Sequence, residues 1–272
     1  MVSKKKLIVF TDLDGTLLDH HTYCFEAALP AIARLKKNDI NLILTTSKTI
    51  AEVEDIKNAL GIEDPCIVEN GSVIYTGNSR FSQRILGSQN KIFGKSYKEI
   101  CLFIEQLPFE VRQYICGFYD MSVDEVAAST NLTTEQAKKS KDRLASEPFL
   151  WTGSEEAFTF LKVLLKDADL SLLQGGRFYH ILSKIDKAQA ISWFMEQVRK
   201  KDKVNDYQVC TLGDGPNDVK MLEQADIGVV IATPTGNFVS VKGDHIIFSQ
   251  HTGPQGWCDE MNKIMDQMGL GE

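Results

Sequence analysis

The sequence predicts an α/β fold, a doubly wound parallel sheet with an α+β domain inserted into it. Three observations predict it. Short continuous apolar runs recur without polar alternation, as in strands covered on both faces. Helical stretches alternate with these runs toward both ends of the chain. The middle breaks that rhythm, with helix-start signals set between isolated strand-like pieces.

The elements follow in order. Residues 7–10, Leu-Ile-Val-Phe, form a first buried strand, and a helical stretch covers 27–37. A second buried strand spans 40–44, and a helix over 51–60 stops at Gly61, a left-handed end. Residues 66–68 make a third short strand. Toward the C-terminus, 187–199 is helical, 208–212 a strand, 218–225 a short helix, 227–231 a strand and 244–248 one more. Between these halves, 76–95 is polar and carries Gly77, Gly87 and Gly94. Ser122-Val-Asp-Glu125 and Thr133-Thr-Glu-Gln136 have capping-box spacing, and Ser154-Glu-Glu-Ala157 opens another apolar-periodic run. Strand-like pieces cover 110–117 and 170–173, and the basic run 139–143 reads as a solvated helix face. The expected division is a core of residues 1–82 and 184–272, with residues 83–183 inserted between its halves.

Composition narrows the function classes. The 272 residues carry a formal charge of −7 with no basic block. Such a chain is a poor nucleic-acid binder, because backbone affinity comes from clustered Lys and Arg. No apolar run approaches the ~20 residues of a membrane span, and the apolar part of the start is too short for a secretory segment. Six scattered cysteines lack metal-ligand spacing and read as free thiols. The expectation is a soluble, cytoplasmic protein with neither nucleic acid nor membrane as partner.

The chemistry concentrates at strand ends. Asp12-Leu13-Asp14-Gly15-Thr16 follows the first strand, where an open parallel sheet lines its ligand crevice. Two carboxylates so close repel each other and favour a divalent cation; an Asp-Gly turn is the blander alternative. Gly213-Asp214-Gly215-Pro216-Asn217-Asp218 follows another strand and adds a second acidic loop. Adjacent parallel strands would join Asp12 to Asp214, and magnesium accepts such oxygen ligands. Thr46-Ser47-Lys48-Thr49 ends the second buried strand, so its hydroxyls and opening amides suit a phosphate. Lys187 opens a helix after the insertion and offers positive charge.

These motifs, in this order, resemble the four motifs of the haloacid-dehalogenase superfamily of phosphohydrolases, and the insertion resembles its C2-type cap. Thr-Ser-Lys-Thr at 46–49, Val-Glu-Asn-Gly at 68–71, Gln-Gly-Gly-Arg-Phe-Tyr-His at 174–180 and Gly-Pro-Gln-Gly-Trp at 253–257 are similar to the mannosyl-3-phosphoglycerate phosphatase branch. The resemblance implies a Rossmann-like core and phosphoryl transfer in two steps. Asp12 would be the nucleophile, forming an aspartyl-phosphate, and Asp14 the acid and base. Mg²⁺ would be held by Asp12, the Asp14 carbonyl and Asp214, with Asn217 and Asp218 orienting its shell. Thr46 and Lys187 would bind phosphoryl oxygens.

Substrate choice should lie in the inserted domain. Gly175-Gly176-Arg177 suits a carboxylate, since small residues admit an anion and arginine forks onto it. Lys48 and Asn70 could reach the same substrate from core loops. His180 reads as a packed strand residue, and His20 and His21 as solvent-facing. The implied substrate is a small phosphorylated sugar or glycoside, foremost 2-O-mannosyl-3-phosphoglycerate. A broader Cof-type sugar phosphatase, a glucosyl-3-phosphoglycerate phosphatase, a non-catalytic phosphometabolite-binding module and an interaction scaffold remain as alternatives.

Overall fold

Strand β1 (Lys6–Thr11) is buried in all but its first residue, as a strand covered on both faces must be. The computed structural model describes residues 5–77, 79–175 and 177–271. After β1 come α1 (Leu29–Lys37), β2 (Asn41–Thr45), α2 (Ile50–Leu60) and β3 (Cys66–Val68). Thr49 and Glu52 close a reciprocal capping box on α2, and Gly61 ends that helix in the left-handed conformation. A tight turn at Glu69–Gly71 then reverses the chain into β4 (Val73–Tyr75), antiparallel to β3. The polar stretch that follows is not structureless. It carries α3 (Arg80–Ile85) and β5 (Lys91–Ile92), which pairs antiparallel with β4.

Helices α4 (Tyr97–Glu105) and α5 (Phe109–Arg112) lead into β6 (Ile115–Gly117). Next are α6 (Val123–Thr130), α7 (Thr134–Ser140), β7 (Ser146–Trp151), α8 (Glu155–Asp167), β8 (Leu170–Gly175) and β9 (Phe178–Ser183). Ser122, Thr133 and Ser154 cap their helices as the sequence spacing requires. The strand expected over 110–117 is largely helical. Pro108 precedes it, and its carbonyl accepts the Val111 and Arg112 amides, winding a turn that leaves only three residues extended. Strands β6 to β9 form a separate antiparallel sheet in the order β6-β7-β9-β8. Phe149 and Ile181 on one face pack against Ile100, Ile104, Phe158 and Leu161 of α4 and α8.

The chain returns through α9 (Lys187–Lys201), β10 (Tyr207–Gly213), α10 (Val219–Gln224), β11 (Ile227–Ala232), β12 (Ile246–Thr252) and α11 (Gly253–Gln267). The large sheet runs β12-β11-β10-β1-β2-β3-β4-β5. Side chains alternate across it. Val9, Leu42 and Leu212 meet α1, α2 and α11 on one face, while Ile8, Phe10 and Val209 meet α9 on the other. Parallel registry sets Thr11 opposite both Leu44 and Leu212. The residues after these three strands therefore emerge side by side. Among the described residues, no helix is long and apolar enough to cross a membrane.

One buried contact ties the small sheet to the large one. The Glu69 carboxylate accepts the amides of Leu144 (2.7 Å) and Ala145 (3.0 Å) and the Ser146 hydroxyl (2.7 Å). Arg143 stands 3.8 Å from the same carboxylate and donates to the Ser47 carbonyl at 3.0 Å. The solvated basic face expected at 139–143 is thus corrected. Arg143 is buried, Lys139 pairs with Asp55, and the Lys141 ammonium bonds the Phe118 and Met121 carbonyls. Lys139 and Arg143 meet acceptors from the large-sheet side and Lys141 carbonyls of its own region, none of which composition alone reveals. Glu69→Ala would leave these donors unpaired inside the protein. The expected cost is roughly 3 kcal/mol, read as a lower urea midpoint with an unchanged m-value. A change below about 0.5 kcal/mol would mean that the contact contributes nothing to stability.

Candidate active site

The site is assembled where β1, β2 and β10 end. Asp12 follows β1, and its amide crosses to the Leu212 carbonyl of β10 at 2.9 Å. The Thr11 hydroxyl donates to the Asp12 carbonyl at 2.8 Å, and the buried Trp257 indole donates to that hydroxyl at 2.9 Å. The backbone carrying Asp12 is thereby held from three directions. Lys187, the first residue of α9, reaches back to Asp12 Oδ1 at 2.5 Å and to Asp218 Oδ1 at 2.7 Å. The other Asp218 oxygen accepts the amides of Asp214 (3.2 Å) and Gly215 (3.0 Å), which shapes the acidic loop. Asp214 in turn accepts the Thr16 hydroxyl at 2.7 Å. The two acidic loops press together at Gly15, whose φ is +82° and where a Cβ would stand 2.5 Å from Asp214 Oδ2. Only glycine fits there.

Charge is the dominant feature. Carboxylate oxygens of Asp12, Asp214 and Asp218 lie within 4.8 Å of one another. Burial, with help from the neighbouring carboxylates and against the pull of Lys187, holds Asp12 well above the ordinary carboxylate range. Burial and then Asp218 push Asp214 up to about 6. Burial alone would lower Lys187, but Asp12 and Asp218 more than offset it and hold the ammonium firmly charged. Asp14 turns its carboxylate away from this cluster to Lys48, at 3.0 Å, and its Oδ1 is buried without a partner. Four carboxylates face two ammonium groups, so two negative charges stay uncompensated. An all-oxygen donor set with that excess fits a divalent cation.

The residues singled out in the sequence divide into two groups. Asp12, Lys187, Asp214 and Asp218 are in direct contact or within one cluster, and Asp14 stands beside them on Lys48. By geometry the cluster takes in the Asp218 carboxylate, expected to stand behind the metal, and not that of Asp14. Thr46 is buried at the end of β2, where its carbonyl accepts the Asn70 amide, and Asn217 Nδ2 donates to Asn70 Oδ1 at 3.1 Å. Of the opening amides of this strand end three are already bonded, and the Ser47 N–H has no hydrogen-bond partner among the described residues. Thr46 N–H bonds the Ile67 carbonyl, Lys48 N–H the Thr46 hydroxyl oxygen, and Thr49 N–H the Glu52 carboxylate. The Ser47 N–H and hydroxyl, the Thr46 hydroxyl hydrogen and the lysines are the donors left open among the described residues.

Gly175 closes β8, which packs over the Pro216–Asp218 turn, and Arg177 is exposed at the tip of the β8–β9 hairpin. No hydrogen bond joins Arg177 to the acidic cluster among the described residues; Gly176 lies outside them. His180 is buried, and burial followed by the nearby Arg143 lowers it to about 3, so it is a neutral packed residue. His20 and His21 are solvent-facing. Sequence reasoning passed over Thr16 as a ligand of Asp214, Trp257 behind Asp12, and Tyr23, whose ring lies 5.1 Å from Lys48 Nζ. Thr16 stood in the first acidic motif and Trp257 in the Gly-Pro-Gln-Gly-Trp motif at 253–257, each without its contact; the Tyr23 contact is tertiary and has no local signal.

Comparison with known proteins gives the same direction. A family described as haloacid dehalogenase-like hydrolase matches residues 9–241. A protein of Persephonella marina named glucosyl-3-phosphoglycerate/mannosyl-3-phosphoglycerate phosphatase is 35% identical, covering 97% of this chain and 99% of its own. A protein of the same name from Methanococcoides burtonii is 36% identical, covering 97% and 98%. The sucrose-phosphatase of Synechocystis, solved with sucrose and phosphate, shares the fold with a TM-score of 0.60 at 14% identity, covering 98% of this chain and 100% of its own.

The raised carboxylates predict a pH-dependent cation effect. Asp214 holds its proton more tightly folded than unfolded, where the ordinary value is 3.8. Its contribution to stability is full below that value and is lost as pH rises through about 6. Above that, the ionised carboxylates repel, and a divalent cation offsets the repulsion. Addition of such a cation should raise Tm by several degrees at pH 7.5 and much less at pH 5, reversed by EDTA. Equal shifts at both pH values, measured by calorimetry, would detach the cation from these carboxylates.

Proposed function

The chain belongs to the haloacid dehalogenase-like hydrolase family, and on that premise we propose that it is a Mg²⁺-dependent phosphatase of glycosyl-3-phosphoglycerates. Its foremost substrate is 2-O-(α-D-mannosyl)-3-phosphoglycerate, converted to mannosylglycerate and phosphate. The glucosyl compound is the second reading, because both curated relatives carry both substrates in their names. The observation that carries the proposal is the buried Asp12 carboxylate held on Lys187 beside Asp214 and Asp218.

Asp12 attacks phosphorus through the oxygen that Lys187 leaves free, and the ester P–O bond breaks as the acyl-phosphate bond forms. Lys187 offsets the repulsion between an anionic nucleophile and an anionic substrate. Asp14 gives a proton to the departing alkoxide, then takes one from the water that attacks the aspartyl-phosphate and releases phosphate. Its unpartnered Oδ1 suits that work, since no internal hydrogen bond has to break first. The Thr46 hydroxyl donates to a phosphoryl oxygen. Asp12 and Asp214 would hold Mg²⁺ with the Asp14 carbonyl, and Asp218 and Asn217 would brace them. Held there, the cation would supply positive charge to offset the negative charge on the phosphoryl oxygens. Residues 83–183, the expected C2-type cap, would recognise the rest of the substrate, with Lys48, Asn70, Gly175, Gly176 and Arg177 around the glycerate.

Phosphate release is expected with Mg²⁺ and not with EDTA, with kcat/KM about 100-fold higher for the mannosyl ester than for hexose phosphates. A flat profile across mannosyl- and glucosyl-3-phosphoglycerate, 3-phosphoglycerate and hexose phosphates would remove the substrate assignment. Asp12→Asn is nearly isosteric and should lower kcat more than about a thousandfold in a folded protein; near-normal turnover would sink the nucleophile. Arg177→Ala should raise KM for glycerate-bearing esters more than for a plain hexose phosphate. Equal effects on the two would take Arg177 out of carboxylate recognition.

A further inference from the structure

A cleft of about 250 Å³ opens where the loop after β1 meets α2 and the α6–α7 turn. Lys48 lines it and links it to the chemistry, since its ammonium stands 3.0 Å from Asp14 Oδ2. The same ammonium lies 5.1 Å from the centroid of the Tyr23 ring. Whatever departs from phosphorus with a proton from Asp14 therefore leaves next to an aromatic face.

Tyr23 is held there against its backbone preference. Its φ is 57°, a left-handed conformation that costs a bulky residue roughly 1 kcal/mol or more. The loop imposes it. The Asp19 carboxylate accepts the amides of His21 (3.0 Å) and Thr22 (2.8 Å) and the Thr22 hydroxyl (2.9 Å). Those bonds hold the Asp19 carboxyl below its ordinary range. The Tyr23 amide donates to the Asp19 carbonyl at 3.0 Å, and the Asp19 amide to the Cys24 carbonyl at 2.8 Å. A small strained loop, closed on itself, leaves a large ring 42% exposed.

The rest of the lining is mainly apolar, with Leu18, Phe25, Ile56 and Ala59, and carries a few polar groups. Glu52 spends Oε2 on the Thr49 amide, and Gln136 spends Oε1 on the Thr133 amide. Among the described residues, no hydrogen bond engages Glu52 Oε1 or Gln136 Nε2, so the lining keeps one acceptor and one donor group. Leu132 adds an apolar wall, and the Asp55–Lys139 ion pair joins the core and cap sides of the cleft. An aromatic platform with a carboxylate and an amide at its rim fits a pyranose, which has an apolar C–H face and a girdle of hydroxyls. The volume lies below the usual range of about 300–1,000 Å³ for small-molecule pockets and suits one ring, not an oligosaccharide.

The geometry points to this cleft as the seat of the substrate's glycosyl ring, with Tyr23 as stacking platform and Glu52 and Gln136 as hydroxyl partners. The assignment rests on the glycosyl-3-phosphoglycerate reading above and deepens it. Core residues supply the platform, and the α7 residue Gln136 supplies a contact from the opposite side, so the ring is read by both layers at once.

The test compares wild type, Tyr23→Ala and Tyr23→Phe on mannosyl-3-phosphoglycerate and on phenyl phosphate. Tyr23→Ala should raise KM for the glycosylated ester about tenfold, the size of one aromatic stacking contact. That loss should be at least about fivefold larger than its loss on phenyl phosphate, and Tyr23→Phe should restore most of it. Saturation-transfer NMR with the product mannosylglycerate provides a readout free of turnover. Pyranose protons should receive saturation from the wild type, and the signal should fall in Tyr23→Ala. Equal losses on both esters, or ring saturation untouched in Tyr23→Ala, would overturn the assignment. If the wild type does not favour the glycosylated ester, the substrate reading fails by itself. The same variants on a hexose 6-phosphate, against phenyl phosphate, then decide the pyranose seat.

Discussion

The structure depends on one electrostatic constraint, the confinement of several carboxylates around a single buried ammonium. Lys187 is 1% exposed and stands at the first position of a helix. That position sits at the positive end of the helix dipole, where a cation is disfavoured. Burial adds a desolvation penalty of several kcal/mol in principle. Asp12 and Asp218 offset both costs with contacts at 2.5 and 2.7 Å, and the Asp214 carboxylate is close enough to feel the same charge. A pair of apolar residues would make a steadier core here. On the proposed mechanism the retention of charge in so expensive a place serves chemistry, because an anionic ester could not approach an anionic nucleophile without it.

The surrounding elements follow from that constraint. Strands β1 and β10 must be neighbours, or Asp12 and Asp214 would not share a cluster. Gly15 must lack a side chain, or the two acidic loops could not close on each other. Asp218 has two duties at once, neutralising Lys187 and bracing the Asp214 and Gly215 amides. The turn after β3 divides its labour in the same way. Glu69 and Asn70 are consecutive residues with positive φ, at 51° and 58°. The first side chain clasps the segment before β7, and the second bonds Asn217 beside the acidic loop. One strained turn thus couples the position of the small sheet to the rim of the site.

Much of this was legible in the sequence, and the boundary is physical. Strands buried on both faces announce themselves as unbroken apolar runs, so β1, β2, β3 and β10 were readable to within a residue or two. Capping boxes are local hydrogen-bond chemistry, and those at Ser122 and Thr133 are recognisable from spacing alone. What escaped depends on partners distant in the chain. The run 139–143 looks solvated until Asp55, Ser47 and Glu69 are known to face it. Short edge strands such as β5, only two residues long and exposed, leave no periodicity to detect. The pairing of Asp218 with Lys187 needed the sheet order, since its loop spacing equally permits a role behind the metal.

The different settings of Asp12 and Asp14 also give the site a direction. They stand two residues apart on one turn, yet their surroundings share little. Asp12 is enclosed, with a side chain 9% exposed and fastened to Lys187. The Asp14 side chain is 36% exposed and faces Lys48, on the side where the cleft opens. A group that binds at the enclosed end is surrounded by charge and shielded from water. A group that leaves past Asp14 meets an aromatic ring and an open path. On the proposed mechanism the phosphoryl group would sit at the Asp12 end and the alcohol at the Asp14 end. Water would then enter for the second step by the route the alcohol vacates, so one carboxylate on one side of phosphorus would handle both proton transfers.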